Sequence, residues 1–454
     1  MPEPVLIVGG QIAGLVAADA LTRAGRDVRL VLPERGVGGG FLPLERDGRR
    51  LELGVRVLEL GYEDDGAPAS LAGYVPGFGA HRAHTRRVAD LVRDAVGEER
   101  LVDLPAPTMV VDGRAHPDVY FTVDLTGLPA ILGAARTAAV AREAARAREA
   151  WGDAGLLAGD LGDMTLEAAS LANHGPTLHA ALIAPPAEKF LRDGARRTLA
   201  AWRRKVWMPL FWPRTLAEAC TGAPAFRGSR RFTTVAGAGP GEVVRALLER
   251  VRRSPHATVE TAGAVTALHA DGALEIDGLG TLRPERPILA CAPKELFAAA
   301  GTTYDVERAR SVIAWVEVDE DDLLLDPSLL HVVDPGNPVA RVSEGSSSPH
   351  PGRRLLTVEL RHDLEAEAID DAAAHGLRDA GVLVHEARVT PVFRGAMPTF
   401  DAPTRETRDA LQAARAHVEA LGLDATVVGG AAGAGADSFN EQVVAGLAAA
   451  EERA

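Results

Sequence analysis

Residues 5–15 read Val-Leu-Ile-Val-Gly-Gly-Gln-Ile-Ala-Gly-Leu, and this stretch decides the fold. The apolar run Val5–Val8 ends at two glycines, as a strand buried in a parallel sheet does. Small and apolar residues at helical spacing follow over residues 12–25 and end at Gly25, a residue type common at helix C-termini. Residues 28–32 are again apolar. This strand–turn–helix–strand unit predicts a parallel sheet with a right-handed crossover, covered by helices.

The turn after the first strand has the spacing of a dinucleotide site. In such sites one glycine allows the tight turn, a second lets the backbone approach the pyrophosphate, and a third lets the helix pack on the strand. An acidic residue at the end of the second strand then holds a ribose hydroxyl. Gly9 and Gly14 occupy the first and third glycine positions, but Gln11 occupies the second. Leu32 stands in place of the acid, and Glu34 follows two positions later.

Composition excludes several classes of function. A chain of 454 residues predicts two intimately packed domains. Its net charge of −14 disfavours binding to nucleic acid or to an anionic membrane. Cys220 and Cys291 are far apart, and His174 and His179 have no acidic partner at ligand spacing, so we predict neither disulfides nor a metal site. No membrane span or signal peptide is recognisable, and a cytoplasmic location is expected.

The remaining pattern predicts a discontinuous two-domain α/β protein. We predict helices over 85–97, 128–150, 241–253, 405–421 and 438–452, strands over 258–268, 273–282, 287–292, 311–319, 328–333, 354–361 and 425–428, and a mostly helical segment over 155–225. The helix over 128–150 has a weak apolar face and is predicted to lie on the surface. A Rossmann-type FAD/NAD(P)-binding domain would comprise residues 1–100, 226–300 and 400–454. A substrate domain of antiparallel sheet plus helices would comprise residues 101–225 and 301–399.

Residues 5–40 resemble the N-terminus of the flavin-containing amine oxidase superfamily, which includes protoporphyrinogen oxidases and phytoene desaturases. Those proteins read V-G-G-G-I-A-G-L, then an acid, then G-G-R, and residues 37–40 fall where G-G-R belongs. Residues 258–268, 288–293 and 392–400 resemble later family segments, and residues 427–450 resemble the terminal G-D segment with its helix. The resemblance implies an FAD-binding fold across the chain. It places cofactor contacts at Gly9, Gly10, Gly14, Glu34, Gly38, Gly39, Val265, Gly429 and Gly430.

Four departures from the family pattern fall at cofactor positions. Gln11 replaces the middle glycine, Leu32 the ribose-binding acid, Gly40 the arginine of G-G-R, and Gly430 the aspartate of G-D. Losing one hydrogen bond to a charged group costs roughly 1.5–3 kcal/mol, so several losses weaken binding by orders of magnitude. The cofactor implied by the resemblance is therefore FAD, while these positions imply that its binding is weak or absent.

Residues that could contact a substrate are fewer. The most aromatic segment, residues 205–213, is interpreted either as an apolar substrate wall or as the core of a helical subdomain. The candidate pocket residues are Lys205, Trp207, Phe211, Trp212 and Arg394. A second cluster, either a site for an acidic substrate group or a solvated helix face, consists of His81, Arg82, His84, Arg86 and Arg87. No catalytic acid or base can be assigned from the sequence.

Three functional hypotheses remain open. The first is a biosynthetic enzyme of specialised metabolism that uses the amine oxidase-like fold without tightly bound FAD for a redox-neutral reaction on a small apolar molecule, such as isomerisation, cyclisation or elimination. The second is an FAD-dependent oxidoreductase that oxidises a C–N or C–C bond, with chemistry supplied by the cofactor. The third is a non-catalytic partner protein, since fold alone does not give function. The substrate, product and oligomeric state are not predicted.

Overall fold

The computed structural model describes residues 3–60, 86–122, 124–223, 232–344, 348–433 and 435–453. Within these ranges the strands are β1 (Val5–Val8), β2 (Val28–Pro33), β3 (Leu44–Arg46), β4 (Arg49–Leu51), β5 (Leu58–Glu59), β6 (Leu101–Asp103), β7 (Thr108–Val111), β8 (Arg114–Pro117), β9 (Phe232–Val235), β10 (Ala257–Ala262), β11 (Val265–Leu268), β12 (Leu274–Ile276), β13 (Gly280–Leu282), β14 (Ile288–Leu289), β15 (Arg308–Asp319), β16 (Leu329–Val332), β17 (Val339–Ser343), β18 (Arg353–Leu360), β19 (Thr390–Asp401) and β20 (Thr426–Val427).

The α-helices are α1 (Ile12–Arg23), α2 (Arg86–Val96), α3 (Leu128–Trp151), α4 (Leu166–His174), α5 (Pro176–Leu178), α6 (Ala184–Phe190), α7 (Gly194–Arg197), α8 (Pro213–Thr221), α9 (Gly241–Arg253), α10 (Pro293–Ala299), α11 (Ile369–Asp379), α12 (Arg405–Ala420) and α13 (Phe439–Glu451). Short 3₁₀ segments cover Gly39–Phe41, Glu98–Arg100, Gly155–Ala158, Ala200–Val206, Glu320–Asp322, Ala366–Ala368 and Gly429–Ala432, and a π-helical turn covers His179–Ile183.

A five-stranded parallel sheet, in the order β10-β2-β1-β14-β20, forms the centre of the dinucleotide-type half. Its apolar strands are buried on both faces. On one face, α1, α2, α9 and α13 form a common core with the sheet. On the other face, α10, α12 and the small sheet β11-β12-β13 cover it. The predicted Rossmann-type fold is therefore confirmed. The strands come from both ends and the middle of the chain, as a discontinuous domain requires.

A seven-stranded sheet, in the order β19-β15-β18-β17-β16-β7-β8, forms the centre of the second half. All its pairings are antiparallel except β7 with β16. One face packs against α11 through alternate apolar residues. The opposite face, called here the polar face, carries six buried polar side chains: Glu317, His331, Arg341, Ser343, Thr357 and Glu359. An antiparallel sheet commonly leaves its second face to solvent. Here both faces are buried.

Three predicted elements differ from the structure. The predicted strand 258–268 is two strands in different sheets, β10 and β11, separated by residues 263 and 264. A Cβ at Gly263 would lie 2.6 Å from Asp277 of the next hairpin. The predicted strand 273–282 is the hairpin β12-β13, which turns through Gly278 at φ 82°. Helix α3 was predicted to lie on the surface, but it buries residues such as Ile131 and Val140 against α8.

Candidate functional site at the carboxyl edge of the parallel sheet

The retained glycines of the first turn are required by the chain itself. Gly9 has a φ of 121°, and a Cβ there would overlap the backbone of Ala290. A Cβ at Gly14 would lie 2.6 Å from the Ala290 Cβ, and one at Gly10 would lie 2.5 Å from the Gly36 carbonyl oxygen. These positions therefore need glycine for the turn and for close helix–strand packing, whether or not a dinucleotide binds.

The Gln11 side chain crosses the turn where the second glycine would leave open space. Its Nε2 donates to the Cys291 carbonyl at 2.9 Å, and its Oε1 accepts from the Gly430 N–H at 2.7 Å. Gly429 leaves room for this amide, because a Cβ there would overlap Gln11 Oε1. One side chain thus joins the end of β14 to the C-terminal glycine segment, across 280 and 419 positions of sequence.

The N-terminus of α1 is capped by a second glutamine. The Ala13 N–H donates to Gln442 Oε1 at 3.3 Å, and Gln442 Nε2 donates to the Asp437 carbonyl at 3.0 Å. The first N–H groups of a helix have no intrahelical acceptor and commonly hold an anion. In this chain an amide from α13 satisfies one of them.

No acidic side chain at the end of β2 points toward the position of a cofactor ribose. Leu32 is buried in the core beneath the sheet, with 3% of its surface exposed. Glu34 lies in the turn after β2, and its side chain is exposed to solvent. Val265, placed by resemblance at the adenine contact, is buried in β11 on the opposite side of the sheet from α1.

The turn Gly38–Phe41 lacks the family arginine at position 40, but Arg56 places a guanidinium beside it. Gly38 has a φ of 99° and Gly39 a φ of 50°, so both adopt a left-handed conformation suited to glycine. Arg56 Nε donates to the Gly40 carbonyl at 2.8 Å, and Arg56 Nη2 would lie 3.5 Å from a Cβ at Gly40. The guanidinium of Arg56 thus lies beside the position from which the family arginine would extend.

Comparison with known proteins supports this description. The profile of a family described as an NAD(P)-binding Rossmann-like domain matches residues 7–69. No curated protein matches the chain in sequence. Among solved structures, a reduced UDP-galactopyranose mutase covers the whole chain and is itself covered to 94%, with a TM-score of 0.71 and 13% identity. The fold is that of the flavin amine oxidase-like proteins.

Two further structures share the amine oxidase-like fold over nearly their full lengths. A putrescine oxidase bound to putrescine covers 100% of this chain and 99% of its own, with a TM-score of 0.55 and 15% identity. A CLA-producing fatty acid isomerase from P. acnes covers 98% and 97%, with a TM-score of 0.57 and 14% identity. Proteins named for oxidation and for rearrangement therefore have this same fold.

The candidate pocket residues of the aromatic segment lie in different surroundings. Lys205 forms an ion pair with Asp437 at 2.8 Å. Phe211 is fully buried in the core between α3 and α8, so in this structure it lines no open surface. Trp212 is 9% exposed and packs on Leu157. Phe211 is therefore a core residue, as the second interpretation of this segment expected. Lys205 lies where the helical segment contacts the C-terminal segment.

Trp207 is the most unusual residue of that segment. Its φ is 58°, a left-handed conformation that costs a non-glycine residue about 1–2 kcal/mol. Its ring contacts that of Phe121 edge-on, with 4.5 Å between the centroids. Val55 and Phe232 complete this apolar cluster. Strain of this kind is retained only where the surroundings impose it, and it often accompanies a functional site.

Arg394 is not brought together with the other candidates. It lies on β19 and forms an ion pair with Asp370 of α11, the helix that covers the face opposite the polar face. Of the predicted basic cluster, His81, Arg82 and His84 lie outside the described residues. Arg87 is exposed at the start of α2 and pairs with Glu451 of α13.

The polar face lies against the segment between β4 and β5. Glu359 Oε1 accepts from the Val55 N–H at 3.0 Å, and the Trp315 indole donates to the Glu52 carbonyl at 2.8 Å. Arg341 pairs with Glu359 across the strands. Its other cross-strand neighbour is His331, whose Nδ1 lies 3.2 Å from Asp118. Burial lowers the pKa of His331, which keeps this imidazole neutral.

Glu52 is a functional candidate that the sequence reading missed. It follows β4, and only 1% of its surface is exposed. Burial raises the pKa of Glu52 from 4.5 to about 7, and nearby Arg56, Arg245 and Arg50 partly oppose that rise. No local pattern marked Glu52, because a glutamate that alternates with Leu51 and Leu53 is predicted to face solvent. A buried carboxyl with a shifted pKa is a probabilistic mark of a functional site.

Other features contribute less. Two surface cavities among the described residues lie away from this edge. The larger, about 560 Å³, is lined by residues such as Asp94 and Arg250 at the amino ends of the strands, whereas ligands of such sheets bind at the carboxyl ends. In the described part of the chain no three metal-ligating side chains gather, and no helix there is long and apolar enough to cross a membrane.

Proposed function

We propose that this chain is a small-molecule enzyme that catalyses a redox-neutral reaction, of the isomerase, cyclase or lyase type, without tightly bound FAD. The observation that carries the proposal is the Gln11 amide, which bridges Cys291 and Gly430 at the turn where a pyrophosphate would lie. The residues present do not fit that group. The amide fills the space a phosphate needs, and it occupies the Gly430 N–H.

The pattern of retained and replaced residues supports this proposal. The glycines that remain, Gly9 and Gly14, are those whose missing side chains the protein's own backbone and core require. Position 11, where glycine would serve the ligand, is the one that has changed. Leu32 and Gly430 likewise lack the acids that would contact a cofactor. Such a pattern of retained and replaced residues is expected when selection maintains the fold but not cofactor binding.

The structures with this fold include enzymes named for a rearrangement. Of the three proteins compared above, one is a mutase, one is an isomerase and one is an oxidase. An enzyme of this proposed type needs a group that moves protons at neutral pH, because general acid–base catalysis works best when the pKa lies near the working pH. Glu52 meets that requirement.

An FAD-dependent oxidoreductase is the second candidate. It is favoured by Arg56, whose guanidinium restores a cation beside Gly40. In this alternative the flavin would take hydride from a C–N or C–C bond, and the protein would position the substrate. A non-catalytic partner protein is the third, and co-purification with a partner enzyme would support it.

Absorption spectroscopy tests the proposal. We expect the purified full-length protein to have a flat visible spectrum that stays flat after FAD is added and the sample is desalted. The Gln11→Gly variant should retain more FAD, with affinity raised at least about tenfold, because the pyrophosphate space and the Gly430 N–H become available. The matched control is Gln11→Glu, which keeps the size, adds a negative charge and should retain none.

Flavin bands that co-elute with the wild-type protein would overturn the proposal in favour of the oxidoreductase. In that case Gln11→Gly should change flavin affinity only modestly. A Gln11→Gly variant that binds no more FAD than Gln11→Glu would show that Gln11 is not what excludes the cofactor.

A further inference from the structure

Glu52 and its neighbours form a second cluster of buried polar groups, apart from the dinucleotide turn. Both carboxyl oxygens of Glu52 are buried and have no hydrogen-bond partner among the described residues. The same holds for Arg245 Nη2, on the first part of α9. An unpaired buried polar group costs about 1–3 kcal/mol, more when charged, and native structures rarely gather several. Arg245 is near enough to Glu52 for its charge to lower the pKa of that carboxyl, and the two side chains together hold three such atoms. A bound molecule would complete their hydrogen bonds.

The charged neighbours of Glu52 influence whether its carboxyl is protonated or ionised. Positive charge near it comes from Arg50, Arg56 and Arg245. Arg56 also interacts electrostatically with Glu359. Arg56 is itself committed, since its Nε and Nη1 donate to the carbonyls of Gly40 and Val55. Arg245 Nη2, by contrast, is buried without a hydrogen-bond partner among the described residues.

Arg245, on α9, is a partly exposed member of this cluster. The Arg245 side chain is 32% exposed, although its Nη2 is buried. Its Nη1 lies 3.4 Å from Glu242 on the preceding turn, which fixes the stem of the guanidinium.

We propose that Glu52 and Arg245 form the proton-transfer site of this protein, for a substrate that carries a carbonyl group beside an acidic C–H bond. This rests on the redox-neutral function proposed above. Arg245 Nη2 donates a hydrogen bond to the carbonyl oxygen. The Glu52 carboxylate takes a proton from the adjacent carbon, as the C–H electron pair forms the C=C bond of an enolate and negative charge moves to the oxygen.

Return of that proton completes the reaction. Protonated Glu52 delivers it to another carbon of the conjugated enolate, whose electron pair forms the new C–H bond, and the C=O bond is restored. The double bond has moved, and no electron has been gained or lost. The class of reaction is therefore a proton shift in an unsaturated carbonyl compound.

Benzoate serves as a probe, because it presents a negative oxygen on a trigonal carbon as an enolate does. Its binding to the full-length protein would be measured by calorimetry at pH 8 in two buffers of different ionisation heat. At this pH most Glu52 is ionised, and two adjacent carboxylates must share a proton. We therefore expect saturable binding with uptake of about one proton per site.

Variants identify where the proton goes. Glu52→Gln should bind benzoate without proton uptake, and Arg245→Met should weaken binding at least about tenfold. Glu317→Gln is the matched control, since Glu317 is equally buried but already bonded to Arg49 and Ser348, and it should leave uptake unchanged. Glu52→Asp, which keeps the carboxyl, should retain uptake and so separates this effect from a folding defect.

Absent binding, binding without proton uptake in the wild type, or uptake that survives in Glu52→Gln each overturns the Glu52 site. The spectral test is separate. Flavin bands with normal proton uptake would overturn the flavin-free function and leave the site standing. A flat visible spectrum without proton uptake would leave the flavin-free function standing and overturn the Glu52 site.

Discussion

At the scale of single residues, Glu52 should make stability depend on pH. Its pKa in the folded protein is about 7, raised from 4.5 in the unfolded chain. Below pH 4.5 both states hold the proton. Between pH 4.5 and 7 the unfolded state loses it while the folded state keeps it, so stability falls as pH rises, by roughly 3 kcal/mol in all.

The comparison with Glu52→Gln isolates this contribution. Urea unfolding of both proteins at pH 4.5 and pH 8 should show the variant gaining on the wild type as pH increases, because its amide does not titrate. An equal change with pH in both proteins would mean that Glu52 titrates normally in the folded state.

Single residues also mark the limit of what the sequence could predict. The spacing identified Gln11, Leu32, Gly40 and Gly430 as departures from a cofactor site. It could not show that Gln11 reaches Cys291 and Gly430, because those partners lie 280 and 419 positions away and meet only in the folded sheet. Arg56 beside Gly40 was missed for the same reason.

At the scale of elements, the packing of α1 on β1 depends on Gly14. Gly14→Ala would bring a Cβ to 2.6 Å from Ala290 and 3.3 Å from Ile7, and we expect it to destabilise the protein by about 1–3 kcal/mol through overpacking. Gly159→Ala is the control, since no atom lies within 4 Å of its added Cβ and its φ is −127°. Denaturant midpoints that shift equally for the two variants would contradict the close packing.

Elements with strong periodicity were predicted well, and those that turn at glycine were not. Helices α9, α12 and α13 lie where the apolar spacing placed them. The stretch around Gly263 has the residue types of one long strand, but it forms two, since the second half pairs in another sheet. The polar face escaped prediction because residues such as His331 and Glu359 alternate with apolar ones, as solvent-facing residues do, and only tertiary packing buries them.

At the scale of the whole molecule, the two halves meet through buried hydrogen bonds. Trp315 of the seven-stranded sheet is fully buried and donates to the Glu52 carbonyl. Trp315→Phe keeps most of the ring volume but leaves that carbonyl unpaired, and we expect a loss of about 1–3 kcal/mol in the free energy of unfolding. Trp151→Phe is the control, because Trp151 is 52% exposed. Equal urea midpoints for both variants would show that this bond does not hold the halves together.

The architecture as a whole was predictable because its strongest signals lie at the two ends of the chain. The opening strand–turn–helix and the closing Val427–Gly430 segment belong to one sheet, which forces the chain to return after crossing the second half. The assignment of residues to two domains stays a prediction. The proposed proton-transfer site combines side chains from distant segments, Glu52 and Arg245, and no local pattern reports their meeting.

The hydrogen bonds of Gln11 at the first turn also bear on how the protein folds in the cell. An enzyme whose fold closes around a vitamin-derived group matures only as fast as that group is delivered. Here Gln11 and Gln442 supply from within the chain the contacts that hold β14, α1 and the C-terminal glycines together. Cells starved of riboflavin should therefore accumulate this protein, folded, at the same level as well-fed cells.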